Sequence, residues 1–93
     1  MSTTTRIRIL IEGHLQGLNF RSNTKQQADQ LGLKGFVRVL SDGRIEIEAQ
    51  GQPEQVDQLL TWCQQKPHAD VMSSIFYRYD EPLHRFNDFV AHV

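Results

Sequence analysis

Ninety-three residues with a formal net charge of −1, ten Lys+Arg against eleven Asp+Glu, suit one domain with its own core and exclude nucleic-acid or membrane binding driven by total charge. The single cysteine, Cys63, excludes an internal disulfide and reads as a buried thiol in a cytosolic protein. The polar start, Met1 to Thr5, has no apolar signal region and is expected to be a flexible tail, and no apolar run approaches the ~18–20 residues of a membrane span.

Arg6 to Glu12 alternates, with Ile7, Ile9 and Ile11 on one face, which is the period of a half-buried strand. From Phe20 the period lengthens: Phe20, Thr24, Ala28 and Leu31 recur at helical spacing, and Gly32 is placed to end that helix in a left-handed cap. Gly35 to Leu40 and Arg44 to Ala49 are two β-rich runs joined by Ser41, Asp42 and Gly43, and an Asp-Gly between such runs predicts an antiparallel hairpin. Pro53 suits the first position of a second helix, whose stripe of Val56, Leu59, Leu60 and Cys63 stops before Pro67.

Val71 to Tyr79 reads as a fourth strand, with Val71, Ser73, Ile75, Tyr77 and Tyr79 on one face, followed by a turn at Pro82 and a short apolar end at Phe89 and Val90. The aromatics Phe76, Tyr77, Tyr79 and Phe86 are expected to fill the core or cover a sheet face. The order βαββαβ predicts an α+β, ferredoxin-like fold: one antiparallel sheet with both helices on one face.

Between the first strand and the first helix lies Gly-His-Leu-Gln-Gly-Leu-Asn-Phe-Arg, residues 13–21. A strand-to-helix loop can aim several N–H groups at one spot, where the helix dipole favours an anion. Gly13, Gly17 and Asn19 permit the turn, and Arg21 can fork onto two oxygens of a phosphate or carboxylate. The first acid after Arg21 is Asp29, so the helix start lacks the negative charge it normally attracts. On spacing alone, an ordinary turn at Gly17 and Asn19 with Arg21 in solvent is the favoured reading, and the acid-free first turn shifts the balance towards a bound anion.

The loop, followed by a helix and then by Leu-Gly-Leu-Lys-Gly-Phe-Val-Arg-Val-Leu-Ser-Asp-Gly from Leu31 to Gly43, resembles the acylphosphatase family over nearly the whole chain. The family's Gly-x-Val-Gln-Gly-Val-x-Phe-Arg loop is matched at Gly13, Gln16, Gly17, Phe20 and Arg21, with Leu15 and Leu18 for its valines. Downstream, Gly35, Phe36, Val37, Asp42, Gly43, Gly51, Trp62, Pro67, Ala69 and Val71 also fit the family's pattern. The resemblance implies a phosphoryl group bound by the loop, Leu15, Gln16, Gly17, Leu18, Asn19 and Phe20, together with Arg21. It implies hydrolysis of an acyl phosphate to a carboxylate and inorganic phosphate with no metal or other cofactor; separately, the chain is expected to be a monomer whose partners are small molecules.

One departure stands out. The family places a water-orienting asparagine in a Gly-aromatic-Val-x-Asn pattern, and here Val39 holds that position, with a side chain that neither donates nor accepts a hydrogen bond. Turnover is therefore expected to be weak while anion binding survives, and a noncatalytic phosphate-binding domain is the alternative. Ser41 shares the strand parity of Val39 but lies about 6.6 Å further along, too far to stand in. Asn19 reads as a turn former and His14 as solvent-facing.

Two other classes fit worse. Lys34 to Val39 faintly matches the RNA-binding RNP1 motif, but on the second strand instead of the third, and Glu46 and Glu48 on the third would repel a phosphate backbone. His14, His68, His84 and His92 lack the spacing of paired metal ligands on one element.

Overall fold

The structure, a computed structural model, describes residues 4–92. Strand β1 (Thr5–Gly13) leads through a 3-10 turn at Gln16–Leu18 into helix α1 (Phe20–Gln30). Strands β2 (Lys34–Val39) and β3 (Ile45–Gly51) form the hairpin, followed by helix α2 (Pro53–Cys63). A single helical turn, α3 (His68–Val71), runs into β4 (Met72–Asp80), and β5 (Phe89–Ala91) comes last. Among the described residues, no helix is long and apolar enough to cross a membrane.

The strands lie in the order β4-β1-β3-β2-β5. The expected ferredoxin-like sheet with its helices on one face is present, with one correction: β5 runs parallel to β2, so the sheet is mixed and not wholly antiparallel. Two boundaries also move. The fourth strand begins at Met72, because His68–Val71 closes a helical turn first. Of the tail expected over residues 1–5, Met1 to Thr3 lie outside the described residues, and Thr5 already pairs with Gly51.

The helix-facing side of the sheet is the core. Ile7, Ile9 and Ile11 of β1 are at most 1% exposed and meet Ile47 and Ala49 of β3 and Val37 of β2. Phe20, Thr24 and Ala28 of α1, with Val56, Leu59, Leu60 and Cys63 of α2, close over them. Of the two places expected for the β4 aromatics, core or sheet face, they take the second: Tyr77 and Tyr79 share the face of their partners Ile9 and Ile7, and Phe76 lies on the other. β4 is an edge strand, so Tyr77, Tyr79 and Phe76 remain 49%, 47% and 66% exposed and do not enter the core. Tyr79 nevertheless ties the edge to α2: its hydroxyl donates to Asp57 Oδ1 at 2.6 Å, a bond that pushes the phenol up to about 12.

The opposite face carries a strap. Since β4 and β5 lie at opposite edges, residues 81–88 must cross β1, β3 and β2, about 19 Å at strand spacing and within reach of eight residues. Arg6 and Gln50 fasten it. Arg6 Nε donates to the Glu81 carbonyl at 2.8 Å, while Gln50 Nε2 donates to the Leu83 carbonyl at 2.7 Å and its Oε1 accepts from the Leu83 N–H at 2.8 Å. Beneath the strap, Arg6 Nη1 pairs with Glu48 Oε1 at 2.7 Å, so two charges buried to below a tenth exposure satisfy each other.

β2 also passes tightly against β3. Gly35 has φ +140°, and a Cβ built there would lie 1.9 Å from the Glu48 carbonyl oxygen. Gly35→Ala should therefore lower unfolding free energy by about 2–4 kcal/mol, read as a drop in the urea midpoint. An unchanged midpoint would mean that the two strands can separate without cost.

Candidate functional site

The loop leaves β1 at Gly13, where the chain passes so close to α3 that a Cβ would lie 2.3 Å from the Val71 carbonyl oxygen. The same carbonyl accepts the His14 N–H at 2.9 Å. Leu15 then drops its side chain into the core, 1% exposed, and its helical backbone (φ −88°, ψ −6°) starts the 3-10 turn. Gln16 and Gly17 are exposed at the turn's crest, and Leu18 is half-buried. Asn19 reverses the chain in the left-handed region, φ 51° and ψ 41°, a conformation asparagine tolerates better than most residues.

Phe20 opens α1 and anchors it. Its ring is 1% exposed, stacked on Trp62 at 5.4 Å and edge-on to His68 at 4.9 Å. His68 is held in turn by a contact between its Nδ1 and the Trp62 carbonyl at 2.9 Å. Asn23 reaches back, donating from Nδ2 to the Leu18 carbonyl at 2.9 Å. The loop is thus tied at both ends.

The loop's amides divide into two groups. Those of Leu18 and Asn19 donate inward, to the carbonyls of Leu15 at 3.0 Å and Gln16 at 3.3 Å. The first bond of α1 runs from the Asn23 N–H to the Asn19 carbonyl, which leaves Phe20, Arg21 and Ser22 with N–H groups that find no protein partner among the described residues. No acid occupies this first turn and no side chain caps it. The helix end is therefore an electropositive spot with free donors.

Arg21 and Val39 meet across a cavity of about 340 Å³, lined also by Gln16, Asn19, Phe20, Ser22 and Ile45. Arg21 is half-buried and forms no ion pair among the described residues. Val39 reaches this wall because it ends β2 opposite Ile45, the last pair of the hairpin ladder, and it is 37% exposed. Of the residues singled out from the sequence, Gln16, Asn19, Phe20, Arg21 and Val39 converge here. Leu15, Gly17 and Leu18 shape the turn without lining this cavity. Ser22 was not anticipated; the only signal for it was its place beside Arg21 in the acid-free turn.

Ser41, as expected from strand spacing, is not on this wall. His14 is exposed and lines a separate cavity with Gln16. Cys63 is fully buried, and loss of solvation pushes its thiol up to about 12, which suits a packing residue and not a nucleophile. Native protein at pH 8 should consequently react with a thiol reagent far more slowly than the same protein in denaturant, where one thiol per chain should be titrated. Equal rates would place Cys63 at the surface.

A family model described as Acylphosphatase matches residues 7–91. An acylphosphatase of Marinobacter nauticus is 39% identical over 87 residues, covering 94% of this chain and 95% of the relative. One from Thermoplasma volcanium is 42% identical, covering 96% of each. Among solved structures, an acylphosphatase from Coxiella burnetii superposes with a TM-score of 0.81 at 28% identity, over 94% of this chain and 90% of that one.

Proposed function

The chain belongs to the acylphosphatase family, and from that membership we propose that it hydrolyses acyl phosphates to a carboxylate and inorganic phosphate, slowly, as a single-domain monomer. The observation that carries the reading is the meeting of Arg21 with the uncapped start of α1 on one cavity wall. A phosphoryl group seated there takes the free N–H groups of Phe20, Arg21 and Ser22, and the guanidinium forks onto two of its oxygens. These donors are fixed before the substrate arrives, so the charge that grows on the equatorial oxygens during transfer meets an environment already arranged for it.

Hydrolysis needs little more. The leaving carboxylate is a weak base that requires almost no protonation, so neither a strong general acid nor a metal is demanded by the chemistry. What remains is to hold the attacking water in line with the departing oxygen. Val39 cannot do this. The polar side chains sharing its cavity, Gln16, Asn19 and Ser22, are the groups available to orient water in its place, from the loop side and not from the strand.

A noncatalytic phosphate binder is the second reading, and one specific observation speaks for it: a valine, Val39, lines the same cavity as Arg21. Acetyl phosphate separates the two. Wild type should hydrolyse it, Arg21→Ala should lose about 10³-fold in kcat/KM, and Val39→Asn should gain about 10²-fold in kcat. An inert wild type that still gives Arg21-dependent heat with inorganic phosphate would establish the binder instead. Hydrolysis untouched by Arg21→Ala would put the reaction elsewhere.

A further inference from the structure

We infer that the larger cavity beside the loop receives the acyl half of the substrate and selects an amino-acid-type acyl group, one carrying its own ammonium and carboxylate, over an aryl or alkyl group. The inference rests on the acyl phosphate reading above and adds the substrate class. The cavity, about 810 Å³, lies where β1 and the hairpin part company: their ladder ends at Ile11 opposite Ile45, and Glu12 and Arg44 follow immediately beyond it. Gln16 borders both this cavity and the one holding Arg21, so a molecule with its phosphoryl group at Arg21 extends past Gln16 into the larger space.

The walls there are polar. Glu12, His14, Asp42, Arg44 and Ser73 contribute, and no hydrocarbon side chain lines the space. An aryl ring would therefore gain no apolar contact on entering, whereas charged and hydrogen-bonding groups would find partners.

The charges are arranged to take both signs. Asp42 is already satisfied: its Oδ2 accepts Arg44 Nε at 2.7 Å and its Oδ1 accepts the Arg44 N–H at 3.1 Å, and that backbone bond leads in holding its carboxyl below the usual range. The two terminal nitrogens of the Arg44 guanidinium have no protein partner among the described residues and suit a carboxylate. Glu12 is exposed and, among the described residues, has neither ion pair nor hydrogen bond through its side chain, which suits an ammonium. A purely anionic acyl group would confront Glu12, and a purely cationic one would confront Arg44. A zwitterion satisfies both.

Binding tests this independently of turnover. The probes are two β-ketophosphonates, in which CH2 replaces the bridging oxygen: the isostere of β-aspartyl phosphate and phenacylphosphonate, the isostere of benzoyl phosphate. Calorimetry on wild type should give at least about fivefold tighter binding of the aspartyl isostere, and Arg44→Ala or Glu12→Gln should each bring the ratio towards one. Arg21→Ala should weaken both probes together. A wild type that binds phenacylphosphonate as tightly, or a ratio indifferent to both variants, would overturn the inference while leaving the anion site standing. No heat from either probe, or heat indifferent to Arg21→Ala, would overturn the anion site itself and this inference with it.

Discussion

Burial of Phe20 governs the geometry around it. The ring is enclosed by Trp62 and His68, and because it belongs to the first residue of α1, seating it fixes where that helix begins. The chain must then turn sharply to enter the helix, and Asn19 supplies the turn in its left-handed conformation. Arg21 follows, rotated about 100° around the helix axis from a buried neighbour, so it is half-buried and lines the cavity. One aromatic cluster thereby sets both the free N–H groups and the cation.

The two faces of the sheet solve different problems. The isoleucines of β1 and β3 supply the apolar burial that holds the helices down. On the other face Arg6, Glu48 and Gln50 are buried polar groups with named partners, so their desolvation is offset by ion pairing and hydrogen bonds. A slip of one residue between β1 and β3 would carry these groups into the helix core and the isoleucines out of it. Register matters for the site because the ends of those strands set where Val39, Ile45 and the hairpin turn come to rest.

Much of this was legible in the sequence, for identifiable reasons. Ile7, Ile9 and Ile11 betray a half-buried strand by period alone, and Asp42-Gly43 between two alternating runs marks a hairpin whose register then follows. Strand β5 was visible only as a short apolar end at Phe89 and Val90, since so few residues cannot display a period and their pairing with β2 depends on a strap crossing the whole sheet. Four residues at His68–Val71 are likewise too few to show helical spacing. For the β4 aromatics the sequence left core and sheet face both open, because alternation reports which face a residue occupies and not whether a helix covers that stretch of the sheet. At the site, the loop motif pointed to Arg21 and the missing asparagine to Val39. Their convergence with Gln16 and Ser22 on one wall is a tertiary fact.

The central claim is that the loop and the uncapped start of α1 form an anion cradle. Backbone amide resonances followed during titration with inorganic phosphate test it most directly. The account expects the largest shifts at Phe20, Arg21 and Ser22, with smaller ones at Gln16 and Gly17, and none along β4. Shifts concentrated instead on the strap face around Arg6 and Arg8, or none at the start of α1 with phosphate at saturation, would contradict it.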